Sequence, residues 1–466
     1  MEKLLQASDI TQIELLSYFS SEIFCMLGVI INIFMFLFLS RKYNIKRLSD
    51  LVTFGVFALN SLICFGIFLK NRITFEEFNF SLLNQNVVLN DTIFALKALM
   101  YLFFACFVLC TYKLTRKAKF KGTIVNSSLL LCGLSGSILL NMQNALASFL
   151  FFDLTSLFIY KFASNARIRK YDTYSLDFVL MSVASTILFY SFYFLSFFVK
   201  EEIQLAIIQV CAACALLLKA GLFPIYNYIL NKHIKNLAYS VLLFSFLPYM
   251  GLLTFIKFSQ SINIANKIFS ITLFSFALLI ILTSTLSAVK TKNLIKYFAN
   301  IAQINCSFYL IGILFAQNNE LCIDSIFISM FAIFAIYSLI TILKVNLKPE
   351  KLNISLLQGL FVKNRLFCIL FALIILFATC TLPSALFFNN LELLKGIYVF
   401  DKIGSIFIIV CLLSNISLIL KSLSLIKICY TKKVFMKTTT QLTKRTTPNY
   451  VVPIVVIFLL ILMMFL

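Results

Sequence analysis

Lys219 sits inside the apolar stretch CAACALLLKAGLFPIYNYILNKHIKNLAYS, residues 211–240, and Pro224 follows it closely. A charged side chain near the middle of a membrane helix costs at least ~2.5–3.5 kcal/mol on insertion scales, so such residues are kept for pathways, relays or counter-ions. Proline withdraws one backbone N–H and disturbs the helix around it. Backbone that leaves the helix at membrane depth survives only against protein or a watery cavity. Lysine and break together predict a polar cavity; the alternative is a lysine near a helix end that snorkels to the headgroups. A second buried charge, Asp153, lies within ALASFLFFDLTSLFIY, after the polar Gln143-Asn144 turn. An amine held away from water gives up its proton more readily, and a nearby carboxylate favours its charged form. An acid and an amine in an apolar setting are therefore the equipment of proton loading and release.

The chain that must position them is 466 residues long, 61% hydrophobic and only 12% charged, with a mean hydropathy of +0.98. That composition excludes a soluble protein. With 12 Gly and 6 Pro there is no long breaker-rich linker, and the 53 Phe with no Trp read as drift in an A+T-rich genome. The 13 Cys are scattered through apolar runs and read as small apolar filler; Cys211 and Cys214 form a CxxC only formally. His233, the single histidine, stands beside Lys232 and Lys235 without a second histidine or nearby acids, a poor metal ligand. Asp177 opens an apolar run, where an acid serves as a solvated helix start. The first apolar run is long and lacks the small-residue site of a cleavable signal peptide. No phosphate loop, nucleophile–base pair or metal cluster supports a soluble enzyme.

About fourteen apolar stretches have the 17–25 residues that a bilayer demands. They cover residues 18–39, 48–69, 92–112, 124–141, 145–162, 178–199, 203–222 and 238–256, then 268–289, 295–316, 323–343, 366–388, 403–425 and 451–466. The net charge of +22 is carried by short turns between these runs, a signature of topology that gives no reason to expect a nucleic-acid partner. Loops after odd-numbered runs hold bases such as Arg41, Lys42, Lys113, Arg116, Arg167, Lys232, Lys290, Lys351 and Lys432. Loops after even-numbered runs hold most acids, among them Glu76, Glu77, Glu201, Glu202, Glu320 and Asp401. The positive-inside rule places the odd loops in the cytoplasm or matrix and both termini on the other side.

These residues resemble the antiporter-like membrane subunits of respiratory complex I, the proton-pumping NADH:quinone oxidoreductase, and most of all its subunit N of bacteria, subunit 2 of mitochondria. SSEIFCMLGVIINIF looks like the family's first helix with its Pro-Glu-Ile-type step. Gln143-Asn144 followed by Asp153, Ser156, Leu157 and Tyr160 is similar to its fifth-helix pattern, where a glutamate stands in place of Asp153. Lys219 to Pro224 fits its Lys-x-x-x-x-Pro break in the seventh helix, and LSAVKTKNLIKYFANIAQINCSFYLIG resembles the segment that aligns through Ala288, Asn293, Lys296, Ala299 and Gly312. LILKSLSLIKICY looks like the close of the thirteenth helix. There are departures: Tyr226-Asn227-Tyr228 replaces a His-x-Trp, the eighth-helix lysine falls on Tyr249, and the twelfth-helix lysine falls on Leu391, after Pro383.

The resemblance implies an all-α polytopic membrane protein with two inverted five-helix repeats and broken helices 7 and 12. Its parts would be a three-helix segment (1–122), a first repeat (123–258), a second repeat (259–427), and a basic loop with a final helix (428–466). It implies proton translocation, with Lys219 as carrier, Asp153 as modulator, and Tyr226, Tyr228, Gln303 and Asn305 holding waters between them. In the C-terminal half Asn389, Asn390, Glu392 and Lys395 stand where a single lysine is expected. Residues three apart share a helix face, so Glu392 and Lys395 can meet, as a weaker outer mouth or simply as the marker of a helix end. The chain itself would hold no cofactor; NAD, flavin, iron–sulfur clusters and quinone belong to partner subunits. Its partners would be other complex I membrane subunits and the lipid bilayer, in a bacterial plasma membrane or a mitochondrial inner membrane. Two other readings stay open: a subunit of a multi-subunit cation/proton antiporter, which shares this fold, and a structural subunit whose proton path has decayed.

Overall fold

A computed structural model describes residues 18–39, 45–74, 78–82, 85–116, 122–165, 174–199, 201–222, 237–261, 267–315, 319–347, 352–381, 384–398, 402–431 and 450–462. Among them, eleven helices are long and apolar enough to cross a membrane, and three shorter apolar helices, Leu180–Leu195, Arg365–Ala378 and Val451–Ile461, bring the set to fourteen. Each coincides with one of the expected runs. The chain is an all-α polytopic membrane protein. One departure is a short antiparallel hairpin, β1 (Phe78–Leu82) with β2 (Gln85–Leu89), paired from Phe78↔Leu89 to Leu82↔Gln85.

The chain divides into two compact units, Met1–Phe189 with Leu253–Asn263, and Tyr190–Leu252 with Ile264–Leu466. In the first, α1 (Ser20–Leu39), α2 (Ile45–Thr74), α3 (Asp91–Arg116), α4 (Gly122–Asn141) and α5 (Ala145–Asn165) pack together. Helix α1 shows how the pattern works. Ile23, Phe24, Leu27, Ile30, Phe34 and Leu37 face outward, while Glu22, Cys25, Val29, Asn32 and Met35 face inward. The buried stripe is the more polar one, the reverse of a water-soluble helix, because the outer surface has only lipid-like neighbours to satisfy. At one level Ser49 donates to Asn32 Oδ1 at 2.7 Å, and Asn126 donates to Asp50 Oδ1 at 2.7 Å, tying α1, α2 and α4. Helix α6 (Tyr174–Leu195) follows and runs from the first unit into the second.

The second unit contains α7 (Glu202–Lys219), α8 (Leu237–Ser245), α10 (Lys267–Lys290), α11 (Leu294–Phe315), α12 (Asn319–Leu347), α14 (Arg365–Ala378), α15 (Ala385–Tyr398), α16 (Lys402–Tyr430) and α17 (Val451–Leu462). Helix α9 (Leu247–Ser261) continues from α8 after a turn at Phe246, where Pro248 lacks the N–H that would continue the ladder. A single turn, α13 (Leu360–Lys363), precedes α14. Helix α11 lies at the centre of this unit, fully buried along its apolar window and packed against α8, α10, α12 and α15. Its start is fixed by Asn293, whose Oδ1 accepts the Ile295 N–H at 2.9 Å, the role of a helix-capping side chain. A short bridge between Asn293 and Asn353 anchors the same end.

Candidate functional site: two matched helix breaks

Both predicted breaks are visible as helix ends, and both lie in the second unit. Helix α7 stops at Lys219: the Leu222 N–H donates to the Leu217 carbonyl at 2.9 Å and the Gly221 N–H to the Leu218 carbonyl at 3.1 Å, with Gly221 at φ 76°. These nested bonds form a Schellman cap. Glycine adopts positive φ without a steric penalty, so Gly221 ends the helix before Pro224 is reached. A proline shortly after such a cap is common, since it cannot continue the helix. Pro224, Tyr226 and Tyr228 lie outside the described residues.

Helix α14 ends in the same motif. The Thr381 N–H donates to the Leu376 carbonyl at 3.1 Å and the Cys380 N–H to the Phe377 carbonyl at 3.2 Å, with Cys380 at φ 52°. A residue other than glycine in that region carries about 1–3 kcal/mol of strain, and such strain persists only where the surroundings over-determine it. The chain resumes as α15 at Ala385; Pro383 lies outside the described residues. Aligned cap on cap, the last helical residue is Lys219 at the first break and Ala378 at the second. The lysine is 4% exposed. It occupies the last turn of α7, where a basic residue is favoured by the helix dipole. The second break has no charge at that position.

Helix α11 reaches both ends. Gln303 Nε2 donates to the Gly221 carbonyl at 3.2 Å while its Oε1 accepts from Ser284 Oγ at 3.0 Å. Two residues on, Asn305 Nδ2 donates to the Ala378 carbonyl and to Ser329 Oγ, both at 3.1 Å. Tyr249, fully buried, shares a hydrogen bond with Ser329 at 3.0 Å. The end of a helix leaves carbonyls without intrahelical donors, and two amides of one helix supply them here. Gln303 and Asn305, expected to hold waters, thus bind backbone directly.

Asp153 lies in the first unit, half-buried on α5, where Thr186 donates to its Oδ1 at 3.1 Å. On α15 the polar cluster splits: Asn389 donates to Ser325 at 3.1 Å and Asn390 is buried, whereas Leu391, Glu392 and Lys395 are exposed. Sequence reasoning passed over three further charges of the first unit. Glu22 and Lys97 make a buried ion pair at 2.7 Å. Lys257 donates to the Leu139 and Leu140 carbonyls at the end of α4. Glu22 and Lys97 lie near the ends of apolar runs and Lys257 just past the end of one, where a charge reads as solvated, although Glu22 belongs to the first-helix motif itself. Among the described residues no group of three or more His, Cys, Asp or Glu could hold a metal ion.

No known protein family profile and no curated protein sequence matches this chain. Among solved structures it is similar to a chain of "Respiratory complex I from Thermus thermophilus with bound Aureothin", with a TM-score of 0.69 and 12% identity over 95% of this chain and 96% of that one. The protein therefore shares, over nearly its whole length, the fold of a chain of the Thermus thermophilus respiratory complex.

Proposed function

We propose that this protein is a proton-translocating membrane subunit of a complex I-type NADH:quinone oxidoreductase, with Lys219 as the proton carrier. The observation that carries the proposal is a buried lysine placed as the last residue of a helix that stops inside an apolar run. A helix end at that depth gives the ammonium backbone carbonyls to rest against, and displacing it toward an acceptor releases its proton. Asp153 is the proposed modulator: a carboxylate that approaches or recedes changes which protonation state of the lysine is favoured. Tyr226, Tyr249 and Asn305 are proposed to line the path, with Glu392 and Lys395 at an outer mouth of the C-terminal half. The two inverted repeats, residues 123–258 and 259–427, belong to the same reading. Electron carriers belong to partner subunits, and this chain binds none.

The test is proton pumping by the purified complex in liposomes. Lys219→Ala lowers pumping while the subunit still assembles. Lys219→Arg lowers it too, because arginine does not release its proton at usable pH. Pumping unchanged in both variants overturns the assignment. A structural subunit is the second reading, favoured by the uncharged Ala378 at the second break and by the exposure of Glu392 and Lys395. It predicts that unchanged result.

A further inference from the structure

The Glu22–Lys97 pair of the first unit is not used by the mechanism above. It joins three helices: Glu22 from α1, Lys97 from α3 and Ser137 from α4, whose hydroxyl donates to Glu22 Oε1. Ser21 Oγ donates to Glu22 Oε2 at 2.6 Å. The Lys97 side chain is fully buried, and the Glu22 side chain is 10% exposed. The lysine ammonium also lies over the Phe94 ring, 5.1 Å from its centroid. Helix α2 closes the site with Asn60, whose Nδ2 donates to the Ser21 carbonyl at 3.0 Å, and with Ser61, which donates to the Ala98 carbonyl at 2.9 Å. Cys25, Cys64 and Tyr101 are the other titratable groups facing Glu22, from α1, α2 and α3.

A pair kept only to fasten helices has little need of charge, since replacing a buried ion pair by well-packed apolar side chains of similar volume is often neutral or stabilising. Two features point beyond fastening. An ammonium brings three N–H donors, and among the described residues the hydrogen bond of Lys97 goes to Glu22. Asn60 Oδ1 is buried without a hydrogen-bond partner, although its amide nitrogen is held against Ser21. A spare donor and a spare acceptor in one enclosed polar site meet the requirement of a buried water, which takes two to four polar partners.

We propose that Glu22 and Lys97, with Ser21, Asn60 and Ser137, form a second proton-holding site, in which a water bridges Lys97 to Asn60 and Glu22 takes up and releases one proton. The inference rests on the proton-translocating reading above. On uptake a hydronium ion arriving from the aqueous side breaks one O–H bond and becomes water as its proton forms an O–H bond at Glu22 Oε2, and the Ser21 hydroxyl turns from donor to acceptor. The carboxyl is then neutral, Lys97 keeps its proton, and the site gains one positive charge. Release reverses each change. Toward the start of α1 the Tyr18 hydroxyl donates to Asn71 Oδ1 at 3.4 Å.

The test uses the purified complex in liposomes, with infrared difference spectra taken across a pH titration and proton pumping measured on the same preparations. The expected result is a carboxyl C=O band that Glu22→Gln removes and Lys97→Met shifts, together with lowered pumping in Glu22→Gln. Glutamine keeps an oxygen for Lys97 and Ser137, so Glu22→Gln answers the question even if Lys97→Met fails to assemble. A spectrum that Glu22→Gln leaves unchanged at every pH overturns the proposal and makes the pair a fastener. Lys219→Ala separates the two readings. Undiminished pumping there refutes the carrier assignment with the Glu22 band in place, whereas abolished pumping without that band refutes only the second site.

Discussion

Replacing Gln303 and Asn305 separately by leucine is expected to destabilise the protein unequally, and the hydrogen bonds fix the order. Gln303→Leu removes the donor to the Gly221 carbonyl and the acceptor of Ser284, so two buried polar groups lose a partner. Asn305→Leu removes the donors to the Ala378 carbonyl and to Ser329 and the acceptor of a long Cys380 thiol bond at 3.8 Å, but Ser329 keeps its bond to Tyr249, so one carbonyl and one weak thiol donor lose a partner. Interhelical hydrogen bonds in membrane proteins are worth about 0.6 kcal/mol on average and at most about 1.7. The first substitution therefore costs about 1–3 kcal/mol and the second about half that. Leucine adds similar apolar contact in both, so the difference isolates the polar loss. Reversible unfolding of each variant in mixed micelles, by titration with a denaturing detergent, measures it. An Asn305→Leu variant as unstable as Gln303→Leu, or more so, refutes the claim that these amides hold the helix ends.

Other outcomes follow from the same structure. Tyr249→Phe leaves Ser329 its bond to Asn305, so its unfolding midpoint stays near that of the native protein, within about 1 kcal/mol; a larger loss shows that Tyr249 makes contacts of greater weight. Glu392→Gln, on an exposed side chain, lowers pumping less than Lys219→Ala, and the reverse order places the main path in the C-terminal half. Cysteines introduced near Arg116 and near Glu77 react with a membrane-impermeant reagent from opposite sides of the membrane; labelling of both from one side refutes the fourteen-helix topology.

All fourteen helices could be read from the sequence because length and apolarity are local properties, and a bilayer rewards both. The helix ends were less legible. Pro224 and Pro383 mark the neighbourhood of each break, but the caps themselves, with positive φ at Gly221 and Cys380, depend on which residue can take that conformation. Glycine announces that capacity; cysteine does not, and Cys380 holds the conformation only in its folded surroundings. The break at Phe246 follows from Pro248, which stands inside an otherwise uniform apolar run. Lys219 and Asp153 were conspicuous as charges deep in such runs. Glu22 and Lys97 lie nearer the ends of theirs, where a charge reads as solvated, and only the packing of α1 against α3 brings them together. The hairpin Phe78–Leu89 escaped notice because its strands are short and flanked by acids, a pattern that also fits an ordinary loop.

Helix α11 has the lowest hydropathy of the eleven long spans and is the one wholly enclosed. Asn300, Gln303, Asn305 and Ser307 all point into protein, and in hydrocarbon each would be a stranded donor or acceptor. During synthesis this segment emerges before α12, α14 and α15, the helices that later surround it. It is therefore a poor candidate for independent release into lipid. It has to wait beside the insertion machinery, or against α10, until its remaining neighbours arrive. The order of assembly is thus written into the polarity of one helix, and truncation just after α11 leaves a segment with nowhere stable to go.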